Sequence, residues 1–315
     1  MTRRPAARAD TADLTGRSRA IARVREQIRH LAGTRANVLI EGGPGTGKRR
    51  AARALHRESP RRHGPFVTLD LGAAPAAAIE RELFGAEDAD AEPRAGALER
   101  GDGGTLVLAE AGALPAPAQV RLLRFLQHHA FERVGGRDAR RADVRIVAVA
   151  RAPLEAEVRA GRFREDLLVR LGVGRIVMPA LAERAEDVPA LVERFVREAN
   201  REHHRKVAGA TPGVIERLTR HPWPGNVREL EATIERMVIA AHGRRPLGID
   251  DLPPGLSGAA EAAPPLAMAV GMTVAEVEAR LIAATLAATA GDKRRAAALL
   301  GIGLRTLYRK IGRRR

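Results

Sequence analysis

The stretch NVLIEGGPGTGKRR, Asn37 to Arg50, decides how the rest of this chain is read. Val38-Leu39-Ile40 is a short apolar run of the kind that forms a buried strand. Gly42-Gly43-Pro44-Gly45-Thr46-Gly47-Lys48 fits G-x-x-x-x-G-K, and a helix pattern follows directly. Glycines let backbone N–H groups turn inward onto phosphate oxygens, and the start of the next helix adds its dipole. Gly42, Gly45, Thr46, Gly47 and Lys48 are therefore candidate nucleotide-binding residues. Lys48 would reach the terminal phosphates as a compact point charge. Only four of the 54 basic residues are lysines, so a lysine kept here supports that role, which arginine's planar fork does not fit. The eighth position, where Ser or Thr would hold Mg2+, is Arg49, which joins the candidates. A plain glycine turn is the competing reading; the strand before and the helix after argue against it.

Outward from this turn, five apolar, β-rich runs recur: Val38 to Ile40, Phe66 to Leu69, Thr105 to Leu108, Val144 to Val149 and Arg175 to Met178. Helix-like segments fill most of the gaps, such as Arg49 to Arg57 and Gln119 to His128. Strands alternating with helices imply an α/β fold with a parallel sheet. After Pro179 the strand signal stops, and Asp187 to His203, Thr211 to Thr219 and Asn226 to Ala241 read as helices. The expected organisation is a disordered tail over 1–13, an α/β nucleotide-binding subdomain over 14–180 and a helical lid over 181–255. A Gly-, Ala- and Pro-rich linker over 256–270 then leads to an all-α unit over 271–315.

Composition narrows the function classes. The chain has 315 residues, 45% of them hydrophobic, and no cysteine, which excludes disulfides and thiolate metal sites. The pairs His128-His129 and His203-His204 lack the spacing of a metal motif, so no metal site is expected. No apolar run approaches the roughly 20 residues that span a bilayer. The opening MTRRPAARADTADLTG lacks the apolar core of a signal peptide, so a cytoplasmic protein without membrane contact is expected. The formal charge is +16, and nine basic residues against Asp292 alone fall between Gly291 and Arg315. That concentration points to a polyanion, with double-stranded DNA the expected partner.

The tail GDKRRAAALLGIGLRTLYRKIGRRR has helix-turn-helix spacing. Arg294 to Leu300 reads as the first helix, with Ala296, Ala297, Leu299 and Leu300 as its packing face. Gly301 supplies the turn. Leu304 to Ile311 reads as the second, with Leu304, Leu307 and Ile311 facing inward. Arg305, Thr306, Tyr308 and Arg309 then face outward toward a major groove, while Lys293, Lys310 and Arg313 to Arg315 serve phosphates. The apolar stretch Leu281 to Thr289 is expected to dimerise the unit. A solvated basic tail is the alternative.

Eight segments carry a family resemblance in order: Gly16 to Ile21 (GRSRAI), the glycine cradle, ELFG (Glu82 to Gly85), GGTLVLAEAGALP (Gly103 to Pro115), QVRLLRFLQ (Gln119 to Gln127), FERVGG (Phe131 to Gly136), GRFREDLLVRL (Gly161 to Leu171) and WPGNVREL (Trp223 to Leu230). Together they resemble the AAA+ domain of the NtrC-like, sigma-54-dependent transcription activators, over about Leu14 to Leu256. The tail resembles that family's Fis-type DNA-binding domain. The resemblance implies an AAA+ P-loop sheet with a helical lid, and ATP or ADP as ligand. It gives Glu110 the role of polarising the attacking water. Arg164 and Arg170 become the two arginines inserted into a neighbour's site, and Arg228 the lid arginine that senses nucleotide. Ordinary helix-surface charge is the bland alternative for Arg164 and Arg170. It also implies a homo-oligomer, from dimer to hexamer, and RNA polymerase holoenzyme as a partner.

Against that pattern the chain departs at one site three times. The family ends the strand before Glu110 with an Asp that orders Mg2+; here the residue is Ala109. The family commonly has Glu after the cradle lysine, so Arg49 reverses a charge. A sensor Asn is replaced by Arg151. Firm Mg2+ binding is therefore not expected. The sigma-54-touching tip, Gly-Ala-Phe-Thr-Gly-Ala in the family, is absent. A loop about four residues shorter replaces it, bearing Glu87, Asp88, Asp90 and Glu92, and is expected to be polar and mobile.

Three functions follow as expectations. One is a DNA-binding transcription regulator that uses nucleotide as an assembly ligand, with weak or absent hydrolysis. Another is an active ATPase that remodels the sigma-54 polymerase. The last is a repressor or sigma-70-dependent regulator with the AAA+ fold as a scaffold. With no receiver or sensory domain ahead of Leu14, any signal is expected to arrive in trans or through nucleotide.

Overall fold

The computed structural model describes residues 14–87, 92–256, 273–289 and 293–312. Expectations about the 1–13 tail, nearly all of the linker, Asp88 and Asp90, the Ile311 side chain and Arg313 to Arg315 lie outside the described residues. The chain divides into two compact units, one ending at Gly248 and one beginning at Ile249.

The larger unit is built on five strands: β1 (Val38–Glu41), β2 (Phe66–Asp70), β3 (Thr105–Ala109), β6 (Arg145–Ala150) and β7 (Gly174–Val177). They form one sheet of order β2-β3-β6-β1-β7, and every neighbouring pair is parallel. The central strands β1, β3 and β6 are buried at every position, which is why they read as unbroken apolar runs. Edge strand β7 alternates buried and exposed.

Alternation along the strands sorts side chains onto the two faces. Val38, Ile40, Val107, Val147 and Ile176 share a core with Ile21, Val24 and Ile28 of α1 (Arg19–Ala32) and Ala51, Ala52 and Leu55 of α2 (Lys48–Arg57). Leu39, Leu106, Leu108 and Ile146 face a second core. Its helical side includes α3 (Ala76–Phe84), the single turn α4 (Ala97–Arg100), α5 (Ala116–His128) and α7 (Glu165–Leu171), through Phe84, Leu98, Phe125 and Leu167. The short α6 (Glu155–Arg159) precedes α7.

Two features escaped the sequence. Helix α5 begins at Ala116, three residues before Gln119, because Pro117 sits in its first turn, where a missing N–H costs nothing. A small antiparallel hairpin, β4 (Ala130–Phe131) with β5 (Arg140–Arg141), is too short to leave a pattern.

The lid consists of α8 (Val188–Glu202), α9 (Pro212–Arg220) and α10 (Asn226–Ala240). Trp223 is buried between them and donates its Nε1–H to the Leu218 carbonyl at 2.7 Å. The start of the lid also anchors the chain's first segment. Asp187 accepts from the Ser18 backbone N–H and hydroxyl, both at 2.7 Å, while Ser18 Oγ caps α1 at Ile21 N. A Cβ on Gly16 would stand 2.4 Å from Asp187 Oδ2, so GRSRAI needs its glycine for this closure.

The second unit contains α11 (Val274–Ala288), α12 (Lys293–Leu299) and α13 (Leu304–Gly312). Ile282, Ala296, Ala297 and Leu307 form its centre, with Leu286, Leu300, Ile302 and Leu304 against them. One expectation is corrected: Leu299 is 67% exposed and does not join the packing face of α12. At 100° per residue it lies well off the face shared by Ala296, Ala297 and Leu300.

Candidate nucleotide site

The cradle between β1 and α2 opens on a cavity of about 440 Å³. Its wall includes Gly45, Thr46, Gly47, Lys48 and Arg49 from the cradle and α2, and Arg228 from the lid. Ala109, Glu110 and Arg151 come from the ends of β3 and β6, so Arg49, Ala109 and Arg151, the three positions singled out in the sequence, line one cavity.

The cradle is held from behind. Lys48 Nζ donates to the Gly42 and Gly43 carbonyls at 2.6 and 2.7 Å. Asn226 Nδ2 takes the Pro44 carbonyl at 2.9 Å and Arg184 Nη2 takes that of Thr46 at 2.9 Å. The Gly45 carbonyl accepts from Arg228 N at 3.3 Å, and that of Gly47 from Ala51 N at 3.0 Å. All carbonyls from Gly42 to Gly47 are thus engaged inside the protein, and the backbone groups left to meet a ligand are N–H donors. A Cβ on Gly45 would stand 2.0 Å from the Gly225 carbonyl oxygen, and its φ of +72° suits glycine; the lid seats directly on the cradle here. Burial pulls the Lys48 ammonium below its ordinary value, with Glu110 opposing and Arg151 and Arg228 reinforcing the shift.

Each carboxylate on the wall already has a guanidinium. Asp70 pairs with Arg49 at 2.7 Å, Glu110 with Arg151 at 2.8 Å, and Glu231 with Arg50 at 2.8 Å. Glu110 sits in the left-handed backbone region, φ +59°, a conformation that costs energy for a residue with a Cβ and recurs at functional sites. The hydrogen bond to Glu110 raises the Arg151 guanidinium, fixing its charge.

This wall does not fit a divalent ion. Ala109 offers no oxygen, and position 49 carries a positive charge where a hydroxyl would stand. Asp70 and Glu231 are the wall carboxylates the sequence did not reveal, and Asp70 stands nearest the strand end. It is the register partner of Ala109, so it stands one strand away from the missing acid, yet Arg49 occupies it.

Arg164 and Arg170 do not line this cavity. Arg164 is exposed and bound to Asp166 at 2.6 Å; Arg170 is exposed at the end of α7. Asp70, Arg50, Glu231, Asn226 and Arg184 are the neighbours that sequence reasoning missed. Asn226 and Arg50 had a signal, lying inside WPGNVREL and NVLIEGGPGTGKRR, where Arg228 and Lys48 drew attention instead.

The acidic loop is partly neutralised. Ala86 bridges to Arg94 and to Val134, which closes the loop at its base. Glu87 pairs with Arg133 at 3.0 Å and Arg140 at 3.1 Å, and Glu99 with Arg133 at 2.6 Å. FERVGG and the hairpin therefore hold the described base of the loop. Elsewhere, His203 Nε2 meets Glu235 at 2.9 Å with Glu202 close by, a grouping that the sequence hides because Glu235 lies on another helix.

On α13, Arg305, Tyr308 and Arg309 are exposed and Thr306 is half-buried. Lys310 is tied to Glu278 of α11, and Lys293 lies 5.0 Å from the centre of the Tyr308 ring. Among the described residues, no helix is long and apolar enough to cross a membrane.

Known proteins match the chain along its length. The Sigma-54 interaction domain matches residues 14–177, the AAA+ ATPase lid domain 182–268, and the bacterial regulatory protein, Fis family, 273–313. The transcriptional regulatory protein ZraR of Escherichia coli (strain K12) is 39% identical over 320 aligned positions, covering 98% of this chain and 70% of ZraR. The DNA-binding transcriptional regulator NtrC of Azospirillum brasilense is 40% identical, covering 95% of this chain and 68% of NtrC. The crystal structure of NtrX from Brucella abortus in complex with ATP superposes with a TM-score of 0.74 at 34% identity, over 96% of this chain and 70% of that one. A structure of the same NtrX with ADP gives 0.73. The chain therefore belongs to the sigma-54-dependent transcriptional activators, with that family's AAA+ ATPase domain, its lid and a Fis-type DNA-binding domain.

Proposed function

We propose that this protein is a DNA-binding transcription regulator that uses ATP or ADP as an assembly ligand and hydrolyses it weakly or not at all. One observation carries the reading: every carboxylate on the cavity wall is paired with an arginine, and the strand end that should order a metal is Ala109. Without a metal the charge developing on the γ-phosphate is poorly neutralised, however well the water is placed. Glu110 remains to orient that water.

The cradle residues Gly42, Gly45, Thr46, Gly47 and Lys48, with Arg49 and Arg228, bind the nucleotide in this reading. Arg164 and Arg170 reach a neighbouring protomer's nucleotide from α7. Val169, Val173 and Val177 are each more than 60% exposed along α7 and β7, which supports an apolar contact between protomers there. Arg305, Thr306, Tyr308, Arg309 and Lys310 contact DNA. Exposed Leu281 and Leu299 support pairing of two helix-turn-helix units. RNA polymerase is the downstream partner; the acidic loop, without Phe or Thr, argues against the family's usual grip on sigma-54.

The test is purified protein: nucleotide binding by titration, and phosphate release per protomer. Turnover near 1 s⁻¹, within the ordinary enzyme range, would overturn the reading. Asp70 favours a second one, an active ATPase working on sigma-54 polymerase. It requires Asp70 to leave Arg49 and serve in place of the lost acid, and a promoter-opening assay separates the two.

A further inference from the structure

We infer that the pocket binds the polyphosphate of a nucleotide without a divalent cation, the guanidiniums of Arg49 and Arg151 supplying the charge that a metal would bring. The inference rests on the nucleotide-binding reading above and deepens it.

Five cationic side chains line the cavity, Lys48, Arg49, Arg50, Arg151 and Arg228, against three carboxylates, Asp70, Glu110 and Glu231. The wall carries an excess of two positive charges before any ligand arrives. A divalent ion would enter against that charge, and a triphosphate would enter with it. The oxygen donors point the same way. The three carboxylates are each bound to an arginine, and the cradle's carbonyls from Gly42 to Gly47 are bound to Lys48, Asn226, Arg184 and backbone N–H groups. A cation would have to share each of these carboxylates with a guanidinium.

Arg49 and Arg151 are the groups able to change partner. Their side chains are 60% and 67% exposed, so their pairs with Asp70 and Glu110 stand in water, where such pairs contribute little. A phosphate offers the planar fork two oxygens and a larger charge. The two positions are also the ones where the family carries a hydrogen-bonding or acidic residue and this chain carries arginine. The loss of metal donors and the gain of fixed cations thus fall on one wall.

The experiment is calorimetric titration of the full chain with ATP, once in excess Mg2+ and once in excess EDTA. The expected result is that the two dissociation constants agree within about tenfold, which is about 1.4 kcal/mol. The double substitution Arg49→Thr with Arg151→Asn should weaken binding in EDTA by more than about tenfold. Adding Ala109→Asp to it should restore affinity in Mg2+ and not in EDTA. Circular dichroism of each variant confirms that it is folded, and the wild-type comparison stands without them. A wild-type affinity that falls more than about tenfold on chelation overturns the inference and leaves nucleotide binding intact. No binding in either buffer overturns both.

Discussion

Asp70 and Ala109 are register partners at the ends of neighbouring strands, so a carboxylate stands beside the methyl group that replaced one. What keeps that carboxylate from substituting is Arg49, 2.7 Å away on the first turn of α2. Ala109→Asp alone should therefore raise phosphate release by less than about tenfold, because two arginines still face the new acid. The triple variant Arg49→Thr, Ala109→Asp, Arg151→Asn should raise it far more. A large gain from Ala109→Asp alone would show that the arginines do not hinder the metal.

His56 provides a pH test. It lies beneath β3, its Nδ1 2.9 Å from the Thr105 hydroxyl and its ring 5.1 Å from that of Phe66. Burial, then the nearby Arg145 and Arg57, hold it below the ordinary histidine value of 6.5. The unfolded chain thus takes up this proton more readily than the folded one. Stability from His56 is full above about pH 6.5 and is lost as pH falls through its folded value. The thermal midpoint should drop between about pH 7 and 5, and His56→Gln should flatten that slope. An unchanged slope would assign the loss to other groups.

Arg145 is a structural cation without a carboxylate. It donates to the Leu31, Ala32 and Ala36 carbonyls at 2.7, 3.4 and 3.0 Å, joining the end of α1 to the start of β6. Burial, with Arg61 adding to it, pushes its pKa down to about 10, so it stays charged at neutral pH. Arg145→Met strands three acceptors and should cost about 2–4 kcal/mol in urea unfolding, with Arg145→Lys recovering part. A cost under about 1 kcal/mol would mean that water replaces the guanidinium freely.

Helix α13, proposed above to contact DNA, is partly restrained. Arg305→Ala and Arg309→Ala should each weaken operator binding about tenfold and lower the salt slope by about one. Glu278→Gln should do the reverse, because it frees Lys310 from its intramolecular pair. Lys48→Ala should leave the affinity of an isolated operator site unchanged. Binding curves at several salt concentrations read all four outcomes.

The sheet, the lid and the helix-turn-helix unit were legible because each rests on local pattern: strand runs 28 to 39 residues apart, helix-like stretches once the strand signal stops, an alanine face. Arg49, Arg151 and Arg228 were legible too, through motif position. What the sequence hid was pairing at a distance. Asp70 reaches the site only through the β2–β3 register, and Glu231 only through the pair that joins α10 to Arg50 of α2. Arg184 lies in an irregular turn with no motif around it. Leu299 shows the opposite error: an apolar residue at a helix end was assigned to a core it does not touch.

The clasp that Asn226 and Arg184 place on the carbonyls of Pro44 and Thr46 changes what a glycine cradle reports. The loop is a keystone as well as a receptacle, since the lid leans on it through both residues. A lineage can surrender its chemistry residue by residue and still be compelled to keep these glycines, because losing them would unseat the roof.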